Sequence, residues 1–354
     1  MNYMGVDHHK QYSHVTVMNE RGDLIRSGRI FNLRRDVEEL LEEIGGEVAA
    51  VIEAGRGSYM MSDLLEELGV RVTVAHPQGV KAIAHAKIKT DARDSEVLAH
   101  LLRTELVPEV YRRGPENREA LRVLRQRAFY VAALTAVKNR IHALIVQQRE
   151  EVQVEAGRYK DLFTQEGKKF LERVELRATD RALLDALLET SIHLSERIKD
   201  SDKLVRHLYR EKREAQLIDT VPGFAEFLSV LVAVEIADIE RFSSAAKLHA
   251  YAGLIPSTHT SGERSYHGRI IKAGNHWLRW AMTESVSPAL RKDHDLRVFH
   301  NRLARRKGAN PAKMATARRL LTIIWRVLKE NRTFIPYPRK KELGCLRPHL
   351  RDHA

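Results

Sequence analysis

The sequence predicts an α/β N-terminal domain followed by a mainly helical C-terminal region. Short apolar runs, turns and short amphipathic helices fill residues 1–112, whereas apolar residues recur every three or four positions from about residue 116. The charge divides similarly, since residues 1–112 carry 14 basic and 18 acidic side chains and residues 251–354 carry 22 and 7. In the first part, hairpin-connected strands precede alternating helices and strands, an order typical of a mixed sheet flanked by helices.

The N-terminal domain, residues 1–112, is predicted to hold five strands, two helices between them and a further helix that begins near Asp91. The predicted strands are Tyr3–Val6, Ser13–Met18, Ile25–Phe31, Val48–Ile52 and Val70–Val74, and the predicted helices are Val37–Ile44 and Ser58–Leu68. The segment Arg21-Gly22-Asp23 supplies a hairpin turn between the second and third strands. Because Val48–Ile52 is an unbroken apolar run, we expect it to be a buried strand.

The rest of the chain is predicted to form a linker, a third unit and a tail. Apolar stripes over Leu121–Leu144 and Leu184–Leu208 predict two long helices, an antiparallel hairpin or a coiled coil, within a linker at residues 113–213. Residues 214–335 hold an apolar helix ending at Ile236 and a polar segment, His259–Gly268, that we expect to be a loop. Residues 336–354 form a basic tail that we expect to be loosely ordered.

The composition favours an anionic partner and excludes several classes of protein. The net charge of +13 and the pI near 9.8 indicate that this partner is nucleic acid. A single cysteine, Cys345, excludes an intramolecular disulfide framework and a cysteine-based zinc site. No apolar run of about 18 residues and no signal peptide is found, so we expect a cytoplasmic protein without a membrane span.

Four carboxylates occupy positions that one edge of the predicted sheet would bring together. Asp7 and Glu53 close two strands, and Asp91 and Asp94 lie three residues apart where a helix begins. Four carboxylates in one place repel one another unless a hard cation lies among them, so we expect Mg²⁺ or Mn²⁺. Two metal ions would suit phosphodiester chemistry. The alternative is that Asp91 caps the helix and Asp94 follows in its first turn, and that Asp7 and Glu53 are ordinary acids at strand ends.

Three further polar residues follow Asp7 directly. Because neighbouring strand residues point to opposite faces, at most one of His8 and His9 can face the acids. We interpret each histidine as an ordinary polar side chain rather than a ligand. Lys10 is near enough in sequence to meet a phosphate.

A serine in a basic segment is the second candidate for chemistry. Ser261 precedes Gly262, and four cations follow within eighteen residues, namely Arg264, Arg269, Lys272 and Arg279. A serine that attacks a phosphodiester needs such cations to hold the phosphate oxygens and to stabilise the transition state. The alternative is a turn serine beside a generic phosphate-binding face.

Together, these motifs resemble the DEDD transposases of the insertion-sequence one-ten family. The matching segments follow the family's order from about residue 5 to residue 290. They are Gly5–Lys10, Ile52–Ala54, Lys89–Asp94, Arg241–Phe242, Tyr251–Pro256, Ser261–Gly262, Gly268–Ile270 and Lys272–Arg279. Ala225 departs from the family, which more often has a second glycine in the turn after Pro222.

The resemblance implies a fold, a reaction and a set of partners. The fold is a RuvC-like (RNase H-like) N-terminal domain, a coiled-coil segment and a C-terminal transposase domain. The four metal-binding acids fall on Asp7, Glu53, Asp91 and Asp94, and the nucleophile that forms a phosphoserine link to DNA falls on Ser261. The implied partners are donor and target double-stranded DNA, a structured non-coding guide RNA, and further copies of the chain in a dimer or tetramer, where acids of one subunit meet the serine of another.

We therefore expect a recombinase that cleaves and rejoins DNA strands to move an insertion sequence. Two other functions remain open on the sequence. One is a RuvC-like, metal-dependent, structure-selective endonuclease that uses water instead of Ser261. The other is a non-catalytic nucleic-acid-binding protein in which the acids only cap helices and balance charge.

Overall fold

The computed structural model of the chain describes residues 1–55, 57–84, 90–261, 264–271 and 273–336, with the backbone only for residues 258–261, 264–267 and 269. The chain divides into two compact units, Met1–Arg113 and Gly114–Ala354. Of the predicted basic tail, only Pro336 belongs to the described residues. Cys345 lies outside them, and so does the segment that we expect to be loosely ordered.

A five-stranded mixed sheet forms the centre of the first unit. Its strands are β1 (Asn2–His8), β2 (Tyr12–Met18), β3 (Leu24–Phe31), β4 (Val48–Glu53) and β5 (Arg71–Ala75). In the sheet they follow the order β3-β2-β1-β4-β5, with β1, β2 and β3 antiparallel and with β4 and β5 parallel to β1. The predicted mixed sheet is therefore confirmed, and each strand begins and ends within two residues of its prediction.

Four helices cover the two faces of this sheet. They are α1 (Arg34–Ile44), α2 (Ser58–Glu67), α3 (Pro77–Ile83) and α4 (Asp91–Arg103). On one face Ile52 belongs to an apolar cluster with Val37 of α1 and Leu65 of α2. On the other face Val51 belongs to a cluster with Leu98 of α4. The alternation of β4 residues between two cores explains why its sequence is apolar from Val48 to Ile52.

Helix α4 lies against β1 at a glycine. A Cβ atom built on Gly5 would fall well inside contact distance of the Ser95 carbonyl oxygen and the Ala99 amide nitrogen. The Ser95 hydroxyl also lies 2.9 Å from Nδ1 of His14 and 2.8 Å from Oγ1 of Thr16, both on β2, and it donates to the Ala92 carbonyl. These contacts fix the start of α4 above the ends of β1 and β2.

The second unit is mainly helical and contains one β-hairpin. Its helices are α5 (Pro115–Val146), α6 (Glu150–Ala156), α7 (Gln165–Arg173), α8 (Ala178–Glu211), α9 (Arg213–Asp219), α10 (Glu226–Ile236), α11 (Ala245–Tyr251), α12 (His276–Lys292), α13 (His294–Lys307) and α14 (Ala309–Lys329). The hairpin strands β6 (Pro256–Ser261) and β7 (Arg264–Ile270) lie between α11 and α12.

The two predicted long helices, α5 and α8, pack antiparallel along each other. Arg127 pairs with Asp202 at 2.6 Å, and the Gln148 amide donates to Asp180 at 3.3 Å, so early residues of α5 meet late residues of α8. At one end of the pair, Leu124 belongs to the main core of the C-terminal helices. At the other end of the pair lies a smaller, separate apolar core, which includes Phe170 of α7. Knobs-into-holes coiled-coil packing stays a prediction.

Helix α5 is the one helix in the described part of the chain with the length and composition of a membrane span. Its most apolar window of 18 residues has a mean hydropathy of 1.2. Core helices of other proteins pass the same test, and α5 packs against α8.

The expectation of a loop over His259–Gly268 is wrong for the described backbone, which forms β6 and β7. The register pairs Pro256 with Ile270 and Ser261 with Arg264. The β-branched and aromatic residues Thr258, Thr260 and Tyr266 favour strands, and a Ser-Gly pair between such residues is a sequence signal for a turn. The polar composition concealed this pattern.

We expect Gly5→Ala to destabilise the protein because the added methyl group meets backbone atoms of α4, which cannot rotate aside. Overpacking of this kind costs about 1 to 3 kcal/mol in the free energy of unfolding. Gly28→Ala is the matched control, since a Cβ on this β3 glycine has no atom within 4 Å. Urea unfolding of the full chain, followed by circular dichroism, measures both variants. Equal stability of Gly5→Ala and wild type would contradict the close approach of α4.

Candidate functional site

Asp7 and Glu53 lie at the same edge of the sheet. Val6 and Ile52 form the last registered pair of the parallel strands β1 and β4, and Asp7 and Glu53 follow them directly. Side chains alternate along a strand, so both acids belong to the sheet face on which Val51 packs with α4.

Asp91 and Asp94 both lie in the first turn of α4. The helix is capped by Thr90, whose Oγ1 accepts a hydrogen bond from the Arg93 amide at 3.3 Å. The alternative interpretation of Asp91 as the capping residue is therefore wrong, because the threonine one residue earlier already accepts the amide. Asp91 is left with a carboxylate that is directed to other partners.

The structure brings Asp7 and Asp91 together with His9. One possible ligand atom from each of the three residues lies within 4.8 Å of the other two. Nε2 of His9 is 3.3 Å from Oδ2 of Asp7 and 3.4 Å from Oδ2 of Asp91. Glu53 and Asp94, which are both described, do not belong to this group of three. Two of the four predicted acids are thus adjacent, and a histidine joins them.

His8 and His9 face different surroundings, as strand alternation requires. Nδ1 of His8 lies 3.0 Å from the hydroxyl of Ser13, which in turn donates to Asn32 at 2.7 Å. Burial, and then the neighbouring His9, lower the pKa of His8. The sequence interpretation left His9 out of the site, although its spacing of two residues from Asp7 places it on the same side as that acid.

Two residues of the antiparallel strands also reach Asp91. The Tyr12 hydroxyl donates to Oδ2 of Asp91 at 3.1 Å, and the Arg29 guanidinium lies 3.5 Å from the same oxygen. Arg29 also stacks over the Tyr12 ring at 4.6 Å from its centroid. Sequence reasoning missed both residues, because only the register of β2 and β3 brings them to α4.

These contacts determine the charge state of Asp91. Burial by itself raises the pKa of the carboxyl group, but the Tyr12 hydrogen bond and the nearby His9 and Arg29 outweigh burial and hold the pKa below its usual value. Burial and the same hydrogen bond raise the pKa of Tyr12. Asp91 is therefore held as a carboxylate and Tyr12 as a hydrogen-bond donor.

The two distances from His9 to the acids fit a shared divalent cation. Two ligand atoms that each lie about 2.1 Å from one ion, at octahedral or tetrahedral angles, are about 3.0 to 3.5 Å apart. The two contacts of His9 Nε2, at 3.3 and 3.4 Å, fall in this range. Nε2 is itself buried, and it makes no well-angled hydrogen bond to any residue that the structure describes. Carboxylate oxygens and an imidazole nitrogen are all established metal donors.

The predicted serine site belongs to the second unit. Ser261 is the last residue of β6, and its Cα is paired with that of Arg264. The side chains of Ser261, Arg264 and Arg269, and the whole of Lys272, lie outside the described residues, so their convergence stays a prediction.

Two other predicted nucleic-acid-binding residues are described in full. The Arg279 guanidinium donates to the Ala252 carbonyl at 3.3 Å, which gives this side chain a structural contact within the second unit. Lys10 is exposed in the turn between β1 and β2.

A buried carboxylate joins the helices that flank the serine hairpin. Glu235 is fully buried, where Arg125 lies 3.1 Å from Oε1 and the Asn275 amide donates to Oε2 at 2.7 Å. The side-chain oxygen of Asn275 also caps α12 by accepting a hydrogen bond from the Leu278 backbone amide. The backbone amide of Asn275 donates to the Tyr251 carbonyl. Sequence reasoning missed this group, whose signal is an acid, Glu235, that interrupts the apolar run in the second half of helix α10.

Comparisons with known proteins connect both halves of the chain to transposases. A model described as "Transposase", for the DEDD transposases of IS110 elements, matches residues 4–149. A second model, described as "Transposase IS116/IS110/IS902 family", matches residues 215–301. Between them the two models cover well over half of the chain.

Individual relatives match along most of their length. The transposase for insertion sequence element IS1111A of Coxiella burnetii is 24% identical over 94% of this chain and 90% of its own. The IS116 44.8 kDa protein of Streptomyces clavuligerus is 25% identical over 95% and 96%, and the transposase for IS1328 of Yersinia enterocolitica is 22% identical over 94% and 98%. With both family models matched in chain order, this protein belongs to the IS110/IS116 family of transposases, enzymes that cleave and join DNA.

Proposed function

We propose that this transposase moves its insertion element by a divalent-metal-dependent reaction through a phosphoserine intermediate on Ser261, guided by a non-coding RNA. The observation that carries the metal part is the adjacency of Asp7, His9 and Asp91 at the edge of a mixed sheet. The strand order and the position of α4 support a RuvC-like, DEDD-type nuclease fold for the first unit.

In this proposal, Asp7, Glu53, Asp91 and Asp94 hold Mg²⁺ or Mn²⁺. Glu53 stays in the set because it shares the sheet edge with Asp7, and Asp94 because it shares the first turn of α4 with Asp91. A divalent cation held by these acids supplies a Lewis acid that polarises a phosphoryl oxygen. Tyr12 keeps Asp91 ionised, and the contact at Gly5 holds the helix that carries it.

The hydroxyl of Ser261 is the proposed nucleophile. Its oxygen attacks the phosphorus of a DNA strand, the new O–P bond forms as the bond to the 3′ oxygen breaks, and the released 3′-OH carries the proton. The energy of the phosphodiester is kept in the protein–DNA bond, so attack by another 3′-OH rejoins strands without an external energy source. Arg264, Arg269, Lys272 and Arg279 are proposed to hold the phosphate, with Lys10 as a further nucleic-acid contact.

Charge supports the proposed nucleic-acid partners. Residues 113–354 carry 46 basic and 29 acidic side chains, an excess that favours phosphate backbones of donor and target DNA and of a structured guide RNA. The proposal also includes a homo-oligomer, either a dimer or a tetramer, in which the acids of one subunit meet the serine of another. The division into a RuvC-like domain (1–112), a coiled-coil linker (113–213), a transposase domain (214–335) and a basic tail (336–354) is part of the same proposal.

Asp91→Asn tests the metal role. We expect strand cleavage to fall about 100-fold or more, since even the outer partners of metal ligands are worth about 10- to 100-fold. Cleavage is measured with DNA carrying the ends of the element, RNA transcribed from its non-coding flank, and either Mg²⁺ or EDTA. Asp295→Asn, at an exposed aspartate of α13, is the control and keeps its activity. Full cleavage in EDTA would refute the metal role.

Tyr12→Phe tests the electrostatics of Asp91. Without the hydroxyl, one of the contacts that hold the pKa of Asp91 low is lost, so the pKa rises relative to wild type, in which the carboxylate keeps its charge to lower pH. Mn²⁺ affinity, measured by electron paramagnetic resonance over a pH series, should therefore be lost at higher pH in Tyr12→Phe than in wild type. Tyr130→Phe on α5 leaves the curve unchanged. Identical curves for Tyr12→Phe and wild type would remove Tyr12 from the site.

Ser261→Ala separates a recombinase from a hydrolytic nuclease. Wild-type protein with Mg²⁺, its RNA and DNA should yield a protein–DNA adduct that survives denaturation, and Ser261→Ala should lose the adduct and strand exchange but still bind DNA. Ser257→Ala, four residues earlier on the same strand, is the matched control and keeps the adduct.

Two other outcomes would replace the serine mechanism. Cleavage by Ser261→Ala without an adduct would favour the water-using endonuclease. An adduct that persists in Ser261→Ala would move the nucleophile to another serine, with Ser257 and Ser265 the first to examine.

A further inference from the structure

We infer that His9 is a metal ligand of this site, and that its imidazole nitrogen shifts the preference of the site from Mg²⁺ toward Mn²⁺. The inference rests on the proposed metal role of Asp7 and Asp91 and adds a donor of a different chemical kind. It concerns a residue that the four-acid pattern does not contain.

The position of one atom carries the inference. Nε2 of His9 lies between the two acids, at 3.3 Å from Oδ2 of Asp7 and 3.4 Å from Oδ2 of Asp91. The His9 side chain is 39% exposed as a whole, yet Nε2 is buried and has no well-angled hydrogen bond to a described residue. Nε2 is therefore close to two carboxylate oxygens but poorly hydrogen-bonded to both, and a cation placed among the three donor atoms would satisfy it better.

An ion pair explains this geometry less well than a ligand does. A protonated imidazole donates along the plane of its ring, and a stable ion pair would direct the N–H group at one carboxylate oxygen. Here two oxygens are nearly equidistant from Nε2, and neither meets the ring at a hydrogen-bonding angle. Donor atoms around a shared cation have this arrangement, because each points at the ion instead of at its neighbours.

The backbone of His9 holds the ring in place before any ion binds. The His9 amide donates to the Tyr12 carbonyl at 3.0 Å, and the Asn32 side-chain amide donates to the His9 carbonyl at 2.8 Å. The imidazole also packs on the Tyr12 ring, with centroids 4.9 Å apart. A ligand oriented in this way loses little conformational freedom on binding.

The donor type sets the expected metal preference. Mg²⁺ and Mn²⁺ both bind carboxylates and water, but Mg²⁺ is the harder ion and exchanges its oxygen ligands for an imidazole nitrogen less readily than Mn²⁺ does. One nitrogen beside carboxylates therefore favours Mn²⁺ relative to Mg²⁺, and removal of the nitrogen should reduce that preference.

The test is the binding of Mn²⁺ to the full chain, followed by pulsed electron paramagnetic resonance. The wild-type signal should show coupling to a directly bound ¹⁴N nucleus, and His9→Gln should lose it. In competition with Mg²⁺, we expect His9→Gln to lower the relative affinity for Mn²⁺ by about 10-fold or more. His8→Gln is the matched control, because His8 contacts Ser13 instead of the acids, and it should keep both the coupling and the preference.

The outcomes separate this inference from the function on which it rests. If Mn²⁺ binds and Asp91→Asn abolishes binding, but the ¹⁴N coupling is absent or persists in His9→Gln, then the ligand role of His9 is wrong and the acidic metal site stands. If wild type and Asp91→Asn bind Mn²⁺ equally, the proposed metal site itself fails. An unchanged preference between the two metals in His9→Gln would also overturn the inference.

Discussion

The close contact of α4 with β1 is the constraint on which the acidic site depends. At Gly5 the helix backbone occupies the volume that any side chain would take, and Ser95 bonds to two side chains of β2 on the same helix face. Because α4 is fixed at this distance, its first residue, Asp91, comes within reach of Asp7 on β1 and of Tyr12 at the start of β2. A helix one side-chain layer farther away would leave the acids of the sheet and of the helix apart.

A buried charge organises the second unit in a comparable way. Removing a carboxylate from water is costly unless its oxygens are paired and hydrogen-bonded, and Glu235 meets this requirement with Arg125 and Asn275. Asn275 then caps α12 and bonds to the residue that ends α11. The chain segments on both sides of the serine hairpin are thereby joined to α10 and α5.

The sequence was most informative where local rules suffice. Apolar alternation and turn residues located all five strands of the first sheet, and a strand end followed by an acid located Asp7 and Glu53 at one edge. It failed where the structure depends on strand register or on which of two neighbouring residues caps a helix. Tyr12 reaches Asp91 only through the pairing of β1 with β2, and Thr90 displaced Asp91 as the helix cap because it stands one residue earlier. The hairpin of β6 and β7 was missed because its alternating residues are polar.

The turn between β1 and β2 carries a consequence for chain length. Its two ends, His9 and Tyr12, are joined by a backbone hydrogen bond, and their side chains contact the same oxygen of Asp91. An inserted residue would rotate one of these side chains away from the carboxylate and lengthen the span that the hydrogen bond closes. Substitution can alter the chemistry of this turn, but an insertion or deletion would separate its two contacts from each other. The number of residues between Asp7 and Tyr12 is therefore as much a part of the site as their identity.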